Sequence, residues 1–170
     1  MNAPISDEDY LWNKRHELIY KVEQSGLYHQ KRERFFELCD KLAKVVAVVG
    51  GSAALWKIAD PGVVQWIAFL ITFSSAFSLV FSFSDRARRH AELSKTYRQI
   101  LAEIMAKGER DFTEADLNEW LGKIYVLEAT EPPTLATLTV LCQNEIAIAN
   151  NQPEKVRQIG FWRRRFAHLY

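Results

Sequence analysis

Two stretches of this chain lose the polar residues that punctuate the rest of it. From Leu42 to Ala59, and again from Pro61 to Ser84, apolar side chains dominate, and only Lys44, Lys57 and Asp60 carry charge between Leu42 and Ser84. In the second stretch Val63, Ile67, Phe69, Phe73, Phe77, Leu79 and Phe81 fall on every face of a helix, leaving no polar stripe of the kind an amphipathic core helix shows. A helix needs roughly 20 apolar residues to cross a hydrocarbon layer about 30 Å thick, and Pro61 to Ser84 meets that length. The first stretch is shorter and holds Gly50-Gly51, each of which lowers helix propensity by about 1 kcal/mol. Its Lys44 sits near one end, where the stem can extend to the interface. Asp60-Pro61-Gly62 is turn chemistry, so the pattern predicts two antiparallel spans joined by a tight hairpin.

Outside the apolar stretches the spacing is also helical. Tyr28, Phe35, Leu38, Leu42, Val45 and Val49 follow one another at 7, 3, 4, 3 and 4 residues, which predicts an apolar seam entering the first span. Leu93, Tyr97, Ile100 and Ile104 repeat at 4, 3 and 4 after the second span, and the two seams are expected to pack together. Leu11, Leu18 and Val22 suggest an upstream helical stretch, with Ser25-Gly26 as a candidate break. Thr113 is a capping candidate for "TEADLNEWLGKIYVLE", whose first turn is acidic as the helix dipole prefers. Glu131-Pro132-Pro133 should end that helix, and Thr134 to Asn150 should form another with Leu135, Leu138, Leu141, Cys142 and Ile146 available for packing. No strand pattern competes. The expected architecture is an all-α integral membrane protein, a two-transmembrane helical hairpin whose long helices continue into a cytosolic helical region. Its parts are an N-terminal helical region (1–41), the hairpin (42–84), a second cytosolic helical region (85–151) and a basic-aromatic tail (152–170).

The charge balance becomes informative only when it is mapped. With 22 Lys+Arg against 21 Asp+Glu the chain is +1 overall, which argues against a dedicated nucleic-acid binder. Locally, Lys31, Arg32, Arg34, Lys41 and Lys44 precede the hairpin and Arg86, Arg88, Arg89 and Lys95 follow it, whereas the turn offers Lys57 offset by Asp60. The positive-inside rule then places both termini in the cytoplasm. Trp56 and Trp66 bracket the turn at the depth Trp prefers. A secretory leader is not expected, and Cys39 and Cys142 on a reducing side read as thiols rather than a disulfide.

Catalytic chemistry finds little footing. His16, His29, His90 and His168 have no metal-ligand spacing, the two cysteines lack a CxxC partner, and Gly50-Gly51 lacks the Lys and Ser/Thr of a phosphate loop. The reading is a non-enzyme with no cofactor and no metal. Candidate function therefore lies in the spans. Ala47 with Gly51 and Gly50 with Ala54 make small-xxx-small spacings that let helices approach closely in lipid, which points to a homo-oligomer. Gln65, Thr72, Ser75, Ser78 and Ser82 share a loose polar side of the second span. Those groups either bond to their own backbone and neighbouring helices or line a water-filled pore, with Arg86, Arg88 and Arg89 as a basic cytoplasmic mouth.

The paired spans, the basic exit "SDRARRHAELSKTYRQILAEI" from Ser84, and the "EPP" and "CQNEIA" segments together resemble the SLATT family over roughly Tyr10 to Asn151. These are two-transmembrane effector domains associated with SMODS nucleotidyltransferases and nucleotide-sensing SLOG proteins. The resemblance implies an oligomeric effector that permeabilises the inner membrane in an anti-phage or conflict system, triggered by a nucleotide-sensing or defence partner protein. Two other classes stay open: a non-conducting anchor or adaptor for a cytosolic sensor, and a membrane-surface or nucleic-acid-binding module built on Trp162, Arg163, Arg164, Arg165 and Phe166.

Overall fold

The computed structural model describes residues 7–55 and 61–169, and every described regular element is helical. Helix α1 spans Asp7–Leu55, α2 Pro61–Phe81, α3 Phe83–Ala106, α4 Glu114–Glu128, α5 Ala136–Ala149 and α6 Phe161–Arg165, with a 3-10 turn at Pro153–Lys155. No strand occurs among the described residues, so the all-α class holds. The expected turn residues Trp56, Lys57 and Asp60 lie outside the described part, as does the side chain of Ala54. The chain divides into two compact units, Met1–Gln30 with Ala91–Tyr170, and Lys31–His90.

In the first unit, the seam expected on α3 forms the core. Tyr97, Ile100 and Ile104 are buried with Leu18 and Val22 of α1 and Leu117, Trp120 and Ile124 of α4. Burying each large side chain contributes about 1.5–3 kcal/mol before entropy is counted. The candidate break at Gly26 does not occur, because α1 continues through it. A Cβ at Gly26 would make an ordinary contact with the Tyr97 Cβ at 3.6 Å, and Ser94 Oγ donates to the Gly26 carbonyl at 3.1 Å. Arg15 is 3% exposed and its Nη2 donates to the Ile104 carbonyl, one of the last-turn acceptors that α3 leaves open. Gly108, at φ +77°, then turns the chain out of α3, a backbone conformation that glycine adopts without strain.

The remaining helix ends follow the residues expected to make them. Thr113 and Asp116 form a reciprocal capping box at the start of α4. The Lys107 ammonium at 3.0 Å, with the Thr113 amide and hydroxyl, holds the Asp116 carboxyl down at about 2. Helix α5 buries Leu138, Cys142, Ile146 and Ala147. Leu135 offers no side-chain cap, and its amide donates to Tyr28 Oη at 3.0 Å instead.

Candidate functional site

In the second unit the relation between hydropathy and burial is inverted. The helical stretch Gly62–Ala106 contains a window of mean hydropathy 1.9, and none of that window is buried. It is the one described helix long and apolar enough to cross a membrane. Leu79, Val80 and Trp66 are 70% exposed or more. Trp66, Phe69, Phe73 and Phe77 form a ladder along α2, with successive ring centroids 6.1, 6.0 and 6.0 Å apart. The i, i+4 spacing that creates this ladder would, in a water-soluble helix, mark the face turned to the core. Here it is turned outward.

The first expected span is the C-terminal part of α1. Residues 42–55 are helical, and at 1.5 Å per residue they reach about 21 Å, with residues 56–60 outside the described part. Its expected seam is corrected by the structure: Leu38, Leu42, Val45 and Val49 are all more than half exposed. The half-buried row consists of the small residues Ala43, Ala47 and Gly50, continuing from buried Phe36. On α2 the matching half-buried row is Val64, Ile67, Ile71, Ser74 and Ser78. A Cβ added at Gly50 would come within 2.7 Å of Ile71 Cγ1, so glycine is what lets the two helices approach this closely. Gly50 against Ile71 and Phe36 against Phe83 make the pair antiparallel. Gly51 differs, since nothing would lie within 4 Å of its Cβ. The heptad spacing picks out large residues, whereas Ala47 and Gly50, singled out by small-xxx-small spacing, lie in the half-buried row.

The polar candidates of α2 divide in the same way. Gln65, Thr72, Ser75 and Ser82 are exposed, while Ser78 belongs to the packed row together with Ser74, which spacing had missed. Thr72 Oγ1 donates to the Ala68 carbonyl at 2.9 Å, and Ser82 Oγ donates to the Leu79 carbonyl at 3.2 Å. Such back-bonds satisfy a hydroxyl in an apolar setting while leaving its acceptor lone pairs available. Ser82 also has φ +44°, a conformation that non-glycine residues rarely adopt, and it separates α2 from α3. The flanking Ser82 amide still donates to Ser78 O, and the Arg86 amide to Ser82 O, each at 3.0 Å. The helical path therefore bends there without losing its ladder.

Below that bend the basic residues meet aromatic ones. The Phe36 ring has the Arg32 guanidinium 4.4 Å away, that of Arg86 5.8 Å away, and the His90 ring stacked at 5.6 Å. Arg86, Arg88 and Arg89 are exposed, and Lys44 pairs with Asp40 at 2.6 Å. Cys39 and Cys142 form no disulfide. Among the described residues, no three His, Cys, Asp or Glu side chains gather as a metal site.

The first unit holds a buried polar cluster that spacing did not foretell. Tyr97 and His29 are both fully buried and stack at 5.8 Å. The Tyr97 hydroxyl donates to Glu131 Oε1, which also lies 3.1 Å from His29 Nε2. Burial, then the hydrogen bond and charge of Glu131, push the Tyr97 hydroxyl well above the ordinary tyrosine range, so it stays a donor. The cluster ties α1, α3 and the segment that follows α4 together. No family model, curated protein or solved structure matches this chain.

Proposed function

We propose that this protein is an integral membrane protein of the bacterial inner membrane, with residues 42–84 inserted as a helical hairpin and both termini cytoplasmic. One observation carries the reading: among the described helices, the one with an apolar window long enough to span a membrane has none of that window buried. An exposed apolar surface of that extent is unfavourable in water at about 25 cal/mol per Å², and lipid removes the penalty. The basic-aromatic collar of Arg32, Phe36, Arg86 and His90 fits the headgroup depth on the side where the positive-inside rule places the termini.

Within that frame the protein acts as an oligomeric effector that permeabilises the membrane in a defence or conflict system, as its resemblance to the SLATT family implies. Exposed Gln65, Thr72 and Ser75 supply polar groups on a surface not consumed by the hairpin itself, and Gly51 leaves room for a neighbouring helix. A second reading, a non-conducting anchor for a cytosolic sensor, is favoured by Gly50, whose close approach to Ile71 uses part of the small-residue row inside one chain.

Induced expression distinguishes the two. Leucine at Gln65, Thr72 and Ser75 together should abolish depolarisation and toxicity, while insertion and oligomer size stay unchanged. Ser82 is left intact because its positive φ would strain a replacement. A triple variant that depolarises cells as fast as the parent removes this face as a lining. A parent that resides harmlessly in the membrane favours the anchor.

A further inference from the structure

The last fifteen residues, Val156 to Tyr170, contain Arg157, Arg163, Arg164 and Arg165 and no Asp or Glu, in a chain whose net charge is only +1. The segment is held to the body of the first unit. Asn144 clamps the Arg157 peptide unit from both sides, its Nδ2 donating to the Arg157 carbonyl at 2.7 Å and its Oδ1 accepting from the Arg157 amide at 2.8 Å. The Arg157 guanidinium donates to Gln143 Oε1 at 2.6 Å, and Ala167 is buried beyond α6. On this fixed support, Phe161 and Trp162 are 73% and 69% exposed, and Leu169 is 64% exposed. Between the support and the tail lies a cleft of about 250 Å³, with Ala136, Val140 and Ile159 on its apolar side and Arg157 and Arg163 at its edge.

We infer that this C-terminal face is a second, peripheral membrane contact that binds anionic phospholipid. Three features converge on that partner. The guanidiniums of Arg163, Arg164 and Arg165 match phosphate charge, and their segment carries no carboxylate side chain to compete. Phe161, Trp162 and Leu169 present apolar bodies beside them, the combination that sits at the headgroup boundary. The Trp162 and Phe166 rings stack on each other at 6.1 Å and 8°, so each already spends one face on its neighbour instead of on a nucleobase. The inference rests on the membrane reading for the presence of a bilayer, but it concerns a different unit of the chain from the hairpin.

The test places the full-length protein in nanodiscs of phosphatidylcholine alone, or of phosphatidylcholine with phosphatidylglycerol, and follows backbone amide exchange over residues 161–169. Exchange should slow by about tenfold in the anionic discs at low salt, and the difference should vanish at high salt. Glutamine at Arg163, Arg164 and Arg165 should erase it while protection of α5 persists, because the Asn144 clamp is untouched. Equal exchange in both discs overturns the inference. So does slowing produced by single-stranded RNA in zwitterionic discs with no response to phosphatidylglycerol, which would assign the face to nucleic acid. Failure of the hairpin reading is seen separately, as protein that does not enter discs of either composition.

Discussion

Lysine at both Phe73 and Phe77 is expected to release the protein from the membrane fraction on alkaline carbonate extraction, where the parent stays in the pellet. Both rings stand on the outward ladder of α2, 58% and 44% exposed, with their centroids 6.0 Å apart. A charged side chain near the centre of a spanning helix costs about 2.5–3.5 kcal/mol on an insertion scale, and each phenylalanine lost contributed favourably. Two such changes disfavour insertion by roughly 6 kcal/mol, about four orders of magnitude in the equilibrium. Leucine at the same positions should leave extraction unchanged, because the ladder's surface stays apolar. If the lysine pair lies at a water-facing surface instead, both variants should fractionate alike.

The second large effect concerns the buried cluster of the first unit. Alanine at Glu131 removes the acceptor of the Tyr97 hydroxyl and the carboxylate beside His29, in a site where neither ring reaches water. Each stranded polar group costs about 1–3 kcal/mol, so a loss of roughly 3–5 kcal/mol is expected. At about 2–4 °C per kcal/mol for a chain of this size, thermal denaturation in detergent should shift down by about 6–20 °C. Glutamine at Glu131 keeps an acceptor oxygen and should shift it less. The same cluster sets an alkaline limit. The folded-state value of Tyr97 is raised, so its contribution is complete below the unfolded value near 10 and is lost as pH rises above it. Phenylalanine at Tyr97 should flatten that alkaline decline. A Glu131→Ala variant as stable as the parent would show that the cluster does not hold these segments together.

Local rules made much of the fold legible in the chain itself. The α3 seam through Tyr97, Ile100 and Ile104 followed from its spacing, and the α4 cap followed from Thr113 with acidic residues after it. Both depend on neighbours within a turn or two. Gly26 is ambiguous in the sequence because a glycine can end a helix or lie within one, and α1 continues through it. The heptad seam of α1 fails because burial there depends on another helix. Leu38, Leu42, Val45 and Val49 satisfy a heptad rule written for water, whereas Ala43, Ala47 and Gly50 satisfy close approach, which depends on Ile71 of another helix. The Tyr97–Glu131 contact joins residues 34 apart across an intervening helix, and no periodicity carries that information. The polar side of α2 was legible as composition, but its division into packed Ser78 and exposed Gln65, Thr72 and Ser75 required the partner helix.

Cysteine accessibility tests the membrane hairpin most directly. Two single variants, Gly62→Cys at the start of α2 and Asn13→Cys on the exposed side of α1, are treated with a membrane-impermeant maleimide in intact spheroplasts and again after lysis. A hairpin with cytoplasmic termini predicts labelling of Gly62→Cys in intact spheroplasts and of Asn13→Cys only after lysis. Labelling of both in intact spheroplasts would contradict the hairpin, and labelling of neither until lysis would contradict the span.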